Sequence, residues 1–180
     1  MKKLIPCCIF LALTGCNNAD QEAATTQPVE QPTPIATTSE PSAPPAPSVS
    51  YESLLISGDA AGPFTVENDG FSTLNYYSRA GALNLMEAVT QDYEYLGYLT
   101  LESAYQFGPD NYVVIVSTGE GGRSCPATTY AIAFDARGEH VTGSTSIDGC
   151  SETVQSFAEG NKLMIKKEDD STVIYNAHIE

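Results

Sequence analysis

Tryptophan is absent from this chain, histidine occurs only twice, and cations are scarce. Eight lysines and arginines face 23 aspartates and glutamates, giving a net charge of −15. Such a chain lacks the basic stripe that nucleic acid or an anionic lipid surface requires, so no nucleic-acid partner is expected. No apolar run reaches the ~20 residues of a membrane-crossing helix. There is no Gly-x-Ser-x-Gly elbow, no His or Cys set at metal-ligand spacing, and no phosphate loop ending in Lys-Ser/Thr. Asp169-Asp170 lacks the alternating ligands of a calcium loop and reads as a charged turn. The sequence therefore assigns no catalytic residue, no metal and no cofactor. A Ser-His-Asp site is assembled in space, so His140 and His178 still have to be located in the fold. Neither sits in a motif, and both read as surface histidines.

What is present begins with Lys2 and Lys3, followed by Leu4 to Leu13, nearly all apolar with Pro6 inside. This run is too short to cross a bilayer and suits the hydrophobic region of a signal peptide. The next residues, Leu13-Thr14-Gly15-Cys16, resemble the lipobox of bacterial lipoproteins. That resemblance implies removal of residues 1–15, a diacylglyceryl thioether on Cys16 and usually a third acyl chain on its amine. Several chains are needed physically. Each buried CH₂ contributes about 0.8 kcal/mol, and one chain alone holds only marginally. The membrane is then a partner through the lipid. Asn17 replaces the Asp that tends to retain lipoproteins at the inner membrane, which favours the outer membrane. The alternative is an ordinary secretory signal with a chance cysteine.

Residues 16–50 join the lipid site to the rest. Residues 17–50 hold seven prolines and no aromatic residue. Such a segment buries too little apolar surface to offset its ordering entropy, and proline biases it toward extended polyproline II. Its 34 residues span on the order of 100 Å when stretched, at about 3.1 Å each. It shows no repeated recognition motif and reads as a spacer.

Residues 51–180 make one domain by length. All ten tyrosines and five of the six phenylalanines lie here, with 19 acidic residues against six basic ones. The pattern is mainly β, an antiparallel meander closing as a sheet, sandwich or barrel-like body. Tyr112 to Val116 is a continuous apolar run, as in a buried central strand. Thr129 to Asp135 and His140 to Asp148 alternate on either side of a tight turn at Arg137-Gly138, with Gly138 supplying positive φ. Gly97 to Phe107, Thr153 to Ala158, Lys162 to Lys167 and Thr172 to Ala177 read as further strands. Leu54 to Ser57, Phe64 to Glu67 and Ser72 to Tyr77 read as short ones. The turns are Asn68-Asp69-Gly70, Glu159-Gly160-Asn161 and Asp169-Asp170-Ser171. One helix is predicted near 79–92, capped by Ser78, with Leu83, Met86, Val89 and Tyr93 as its stripe. That stripe is core material rather than a cofactor site.

Of five cysteines, Cys7 and Cys8 leave with the leader and Cys16 takes the lipid, which leaves Cys125 and Cys150. An even pair in an exported chain favours one disulfide; two buried thiols, or half of a metal site, are the alternatives. With residues 137 and 138 as the turn, facing residues sum to 275. Phe134 then faces Val141, Tyr130 faces Thr145, and Cys125 faces Cys150 at the hairpin's open end. Pro126 and Gly149 leave room for a one-residue slip. Closing such a loop contributes about 3 kcal/mol.

The stretch Gly119-Glu120-Gly121-Gly122-Arg123-Ser124 has the glycines of an anion-binding loop, with Gly119, Gly121, Gly122 and Arg123 as its candidate residues. Glu120 repels phosphate, so a loop that lets Cys125 reach its partner is the simpler reading. Gly121-Gly122-x-x-Cys125-Pro126, with Tyr130 and Gly149-Cys150, resembles small exported bacterial domains. The resemblance covers about 30 residues, supports the disulfide and implies no activity. The expected role is a membrane-anchored envelope lipoprotein with a binding or structural function and an envelope protein as partner. An envelope hydrolase and an inhibitor of a cationic hydrolase are the alternatives.

Overall fold

The structure is a computed structural model and describes residues 48–119 and 128–180. The leader, Cys16, the tether as far as residue 47, and Glu120, Gly121, Gly122, Arg123 and Cys125 lie outside the described residues.

The described chain forms β1 (Tyr51–Ser53), β2 (Ile56–Ser57), β3 (Ala60–Ala61), β4 (Phe64–Glu67), β5 (Thr73–Ser78), β6 (Gly81–Asn84), β7 (Tyr98–Phe107), β8 (Asn111–Gly119), β9 (Thr128–Asp135), β10 (His140–Ile147), β11 (Gln155–Glu159), β12 (Lys162–Lys167) and β13 (Asp170–Tyr175). It is mainly β, in three antiparallel meanders. One is the N-terminal sheet β2 to β6, and another is the C-terminal sheet β11-β12-β13. The central sheet runs β1-β7-β8-β9-β10, so β1 crosses over to pair with β7. The sheets are open and do not close into a barrel.

The expected helix near 79–92 is not formed. Gly81–Asn84 is instead an edge strand beside β5, and two 3₁₀ turns follow at Leu85–Ala88 and Tyr93–Tyr95. Gly81 has φ +126°, outside any helix. The Asn84 side chain accepts the Met86 N–H at 3.1 Å and starts the first turn. Leu83, Met86, Val89 and Tyr93 do pack on the core, but from a strand and two turns. Apolar spacing alone did not separate these arrangements.

The apolar run of β8 shows why the central sheet needs two covers. Val114 and Val116 point into a core shared with Phe64, Leu74, Leu85 and Met86 of the N-terminal part. Val113 and Ile115 point the other way, among Leu163, Ile165 and Ile174 of the C-terminal sheet. All four are fully buried, at about 1.5–3 kcal/mol each.

Two bulges break strict alternation. In β7 the register shifts between Leu101 and Ser103, so Glu102 is an extra residue. In β10 it shifts between Val141 and Gly143. Val141 still faces Phe134, as expected, but beyond the bulge Thr145 faces Ala131 and Ser146 faces Tyr130. The expected Tyr130–Thr145 pairing is therefore corrected by one residue, and Gly143, Thr145 and Ile147 turn to the opposite face. The β9–β10 turn is also four residues long, Ala136 to Glu139. Its positive φ belongs to Glu139, at 52°, and not to Gly138. An added side chain at 138 would press on the exposed His140 ring, which can turn aside. A Cβ there would stand 2.5 Å from His140 Nδ1 and 3.1 Å from Asp135 Oδ2. The β12–β13 turn is likewise tighter than expected, since Lys167 already pairs with Asp170.

The C-terminal residues fold back as a latch. Asn176 and Ala177 take φ of 55° and 56°, a conformation costing non-glycine residues about 1–2 kcal/mol each. It is held by Tyr51, whose hydroxyl accepts the Ala177 N–H at 2.7 Å and donates to the Ile174 carbonyl at 3.5 Å. Ile179 is then buried over Gly143, where an added Cβ would fall 2.3 Å from the Ile179 carbonyl oxygen.

Candidate functional site

Among the expected site residues, the structure describes two. Gly119 ends β8, and Cys150 lies in the bend after β10. Cys16, Cys125, Gly121, Gly122 and Arg123 lie outside the described residues, so neither the lipid site, the disulfide nor the anion loop acquires a geometry. His140 opens β10, is exposed, and borders a shallow cavity of about 270 Å³ with Glu87 and Glu139. No serine or cysteine is among the described residues of that cavity. His178 stands on the C-terminal latch, against the β13 edge.

The solvent face of the C-terminal sheet is unlike an ordinary outer face. Antiparallel sheets with one covered side alternate apolar-in and polar-out. Here Leu163, Ile165 and Ile174 point inward as required. Yet Phe157, Met164 and Val173, direct neighbours across the three strands, form an apolar row on the outside. Phe157 is 58% and Val173 40% exposed. The next row is Glu159, Lys162 and Tyr175, and the row on the other side is Gln155, Lys166 and Ser171. This face thus carries two lysines against one glutamate on a domain that is strongly acidic elsewhere. The alternation within each strand was legible in the sequence. The alignment of the three apolar residues was not, because it depends on cross-strand register.

A second concave feature lies on the central sheet, on the side facing the C-terminal sheet. Tyr98, Thr100, Glu102, Ser117 and Glu152 line a groove of about 370 Å³. Thr100 and Ser117 are paired neighbours on β7 and β8. The Ser117 hydroxyl lies 3.0 Å from Thr129 Oγ1, and Thr118 Oγ1 donates to the Tyr98 carbonyl at 2.6 Å. Lys167, on the inward face of β12 and fully buried, lies close enough to Glu102 to feel its charge. Burial pushes its ammonium below the usual lysine range, while Glu168, Glu102 and Asp148 pull it back. No sequence pattern marked Glu102 or Lys167, since each is a single charge within a strand and belongs to no motif.

No protein-family model, curated protein or solved structure matches the chain. Among the described residues no three His, Cys, Asp or Glu side chains converge as metal ligands.

Proposed function

We propose that the protein is a lipid-anchored envelope lipoprotein whose β domain is a binding module. Cys16 carries the acyl chains, residues 17–50 form the tether, and the domain is presented in the oxidising space outside the inner membrane. The outer membrane is the favoured anchor, from Asn17. In that compartment Cys125 and Cys150 are proposed to form one disulfide.

The observation that carries the binding role is the Phe157–Met164–Val173 row on a sheet face open to solvent. Apolar residues scattered singly on a surface need no explanation, but a contiguous row across three strands favours a contact surface. Lys162 and Lys166 beside it suit an envelope protein with an apolar patch rimmed by acidic groups.

Two experiments test this reading. In cells fed labelled palmitate, the parent chain should incorporate label and Cys16→Ser should not. The full-length protein should also retain an envelope partner that the Phe157→Ser/Val173→Ser variant loses, with unchanged thermal unfolding. Equal retention by both proteins would remove the sheet face from the account.

A further inference from the structure

The geometry points to a second binding site, the groove on the central sheet, which takes a neutral saccharide through hydrogen bonds to Glu102 and Glu152. It is separate from the apolar row on the outer face of the C-terminal sheet and does not depend on it.

The β7 bulge makes the groove. Thr100 pairs with Ser117, and both line it. Ser103 pairs with Ile115, which is buried beneath the C-terminal sheet, and the Ser103 hydroxyl lies 3.0 Å from Ser156 Oγ of β11. Two adjacent residues, Glu102 and Ser103, therefore serve the same face. Strict alternation would have sent one of them to the other side. Bulges re-aim side chains in this way. The result is a half-buried carboxylate lining the groove, with the buried Lys167 ammonium close enough to feel its charge. Tyr98, Thr100 and Glu102 then follow one another along β7, a span of about 13 Å at 3.3 Å per residue. A disaccharide fits that length.

The lining chooses the ligand class. Among the described residues that line it, Tyr98 alone has an aromatic or aliphatic body, so a hydrophobic ligand or an apolar peptide has little to bury against there. Two carboxylates repel phosphates and uronic acids. Among the described residues no third acidic, His or Cys side chain joins the two carboxylates, which makes them a poor cage for a divalent cation. A sugar presents many hydroxyl donors, and carboxylates accept these in short charge-assisted bonds. Thr100 adds a hydroxyl that both donates and accepts. Tyr98 adds an aromatic ring at the end of the row.

Full-length protein in phosphocholine micelles should be titrated calorimetrically with maltotriose, cellotriose and N,N′-diacetylchitobiose, and separately with calcium chloride. At least one saccharide should bind. Glu102→Gln and Glu152→Gln should each weaken it about tenfold, the loss of one charge-assisted bond. Phe157→Ser/Val173→Ser should leave it unchanged. If Glu102→Gln impairs folding, Thr100→Val provides a milder variant at the same wall and should also weaken binding. Failure of all three saccharides to bind overturns the proposal. So does calcium binding alone, or saccharide affinity indifferent to Glu102, Glu152 and Thr100.

Discussion

Gly143→Ala tests the latch directly. The added Cβ would lie 2.3 Å from the Ile179 carbonyl oxygen and 3.1 Å from both its carbonyl carbon and its Cβ. The nearest obstacle is backbone, so no rotamer change relieves it. Either the strand and tail separate locally, or the tail undocks. Overpacking of this kind costs about 1–3 kcal/mol. Undocking sets the ceiling, because it exposes Ile179 and Ala177, now 8% and 7% accessible, at about 2–4 kcal/mol together. The expected loss is about 2–3 kcal/mol, a large share of the ~5–15 kcal/mol that holds a typical domain. It should appear as a lower urea midpoint with an unchanged slope. A chain ending at His178 supplies the control. There the obstacle is gone, and Gly143→Ala should cost less than about 0.5 kcal/mol, since coupled sites do not add. A Gly143→Ala protein as stable as its parent would refute the contact. An equal cost with and without the last two residues would refute the latch.

Two further predictions concern alkaline pH. Tyr51→Phe leaves the Ala177 N–H without its acceptor and should cost about 1–3 kcal/mol at pH 7. Burial raises the Tyr51 pKa above 10.0, outweighing the Ala177 hydrogen bond that lowers it. Its contribution is therefore complete below pH 10 and is lost as pH climbs through the folded value. Relative to its parent, the Phe variant should lose less stability above pH 10 in urea titrations. An identical alkaline limb would sink this account. Lys167 has the opposite sign. Its folded pKa lies below 10.5, chiefly from desolvation, so the unfolded chain binds the extra proton between the two values. Stability should rise with pH across that window, and Lys167→Met should lack the rise. A parallel pH profile for parent and variant would show that Lys167 carries no such linkage.

Strands were legible wherever alternation met a turn signal. Phe64 to Glu67 and Lys162 to Lys167 were expected with the bounds they have. The β8 run announced a strand buried on both faces, because no polar residue interrupts Val113 to Val116. The segment from Gly81 to Tyr95 misled. Its apolar spacing fits a helix, but a strand plus two 3₁₀ turns buries the same side chains against β5 and the core. The proposed lipobox, tether and cysteine pair rest on chain order and composition, which the described fold does not bear on.

The amino-acid order alone determined the β character and the positions of several strands, since these follow from local periodicity; the proposed division into leader, tether and domain rests on composition alone. The tertiary structure alone decided what lies beside what. Glu102 reaches a groove only because β7 bulges there. Gly143 must be glycine only because Ile179 folds back over it. Phe157, Met164 and Val173 make one surface only in the register adopted by β11, β12 and β13. Each depends on residues distant in sequence, and a one-residue slip would turn the same side chains to the other face.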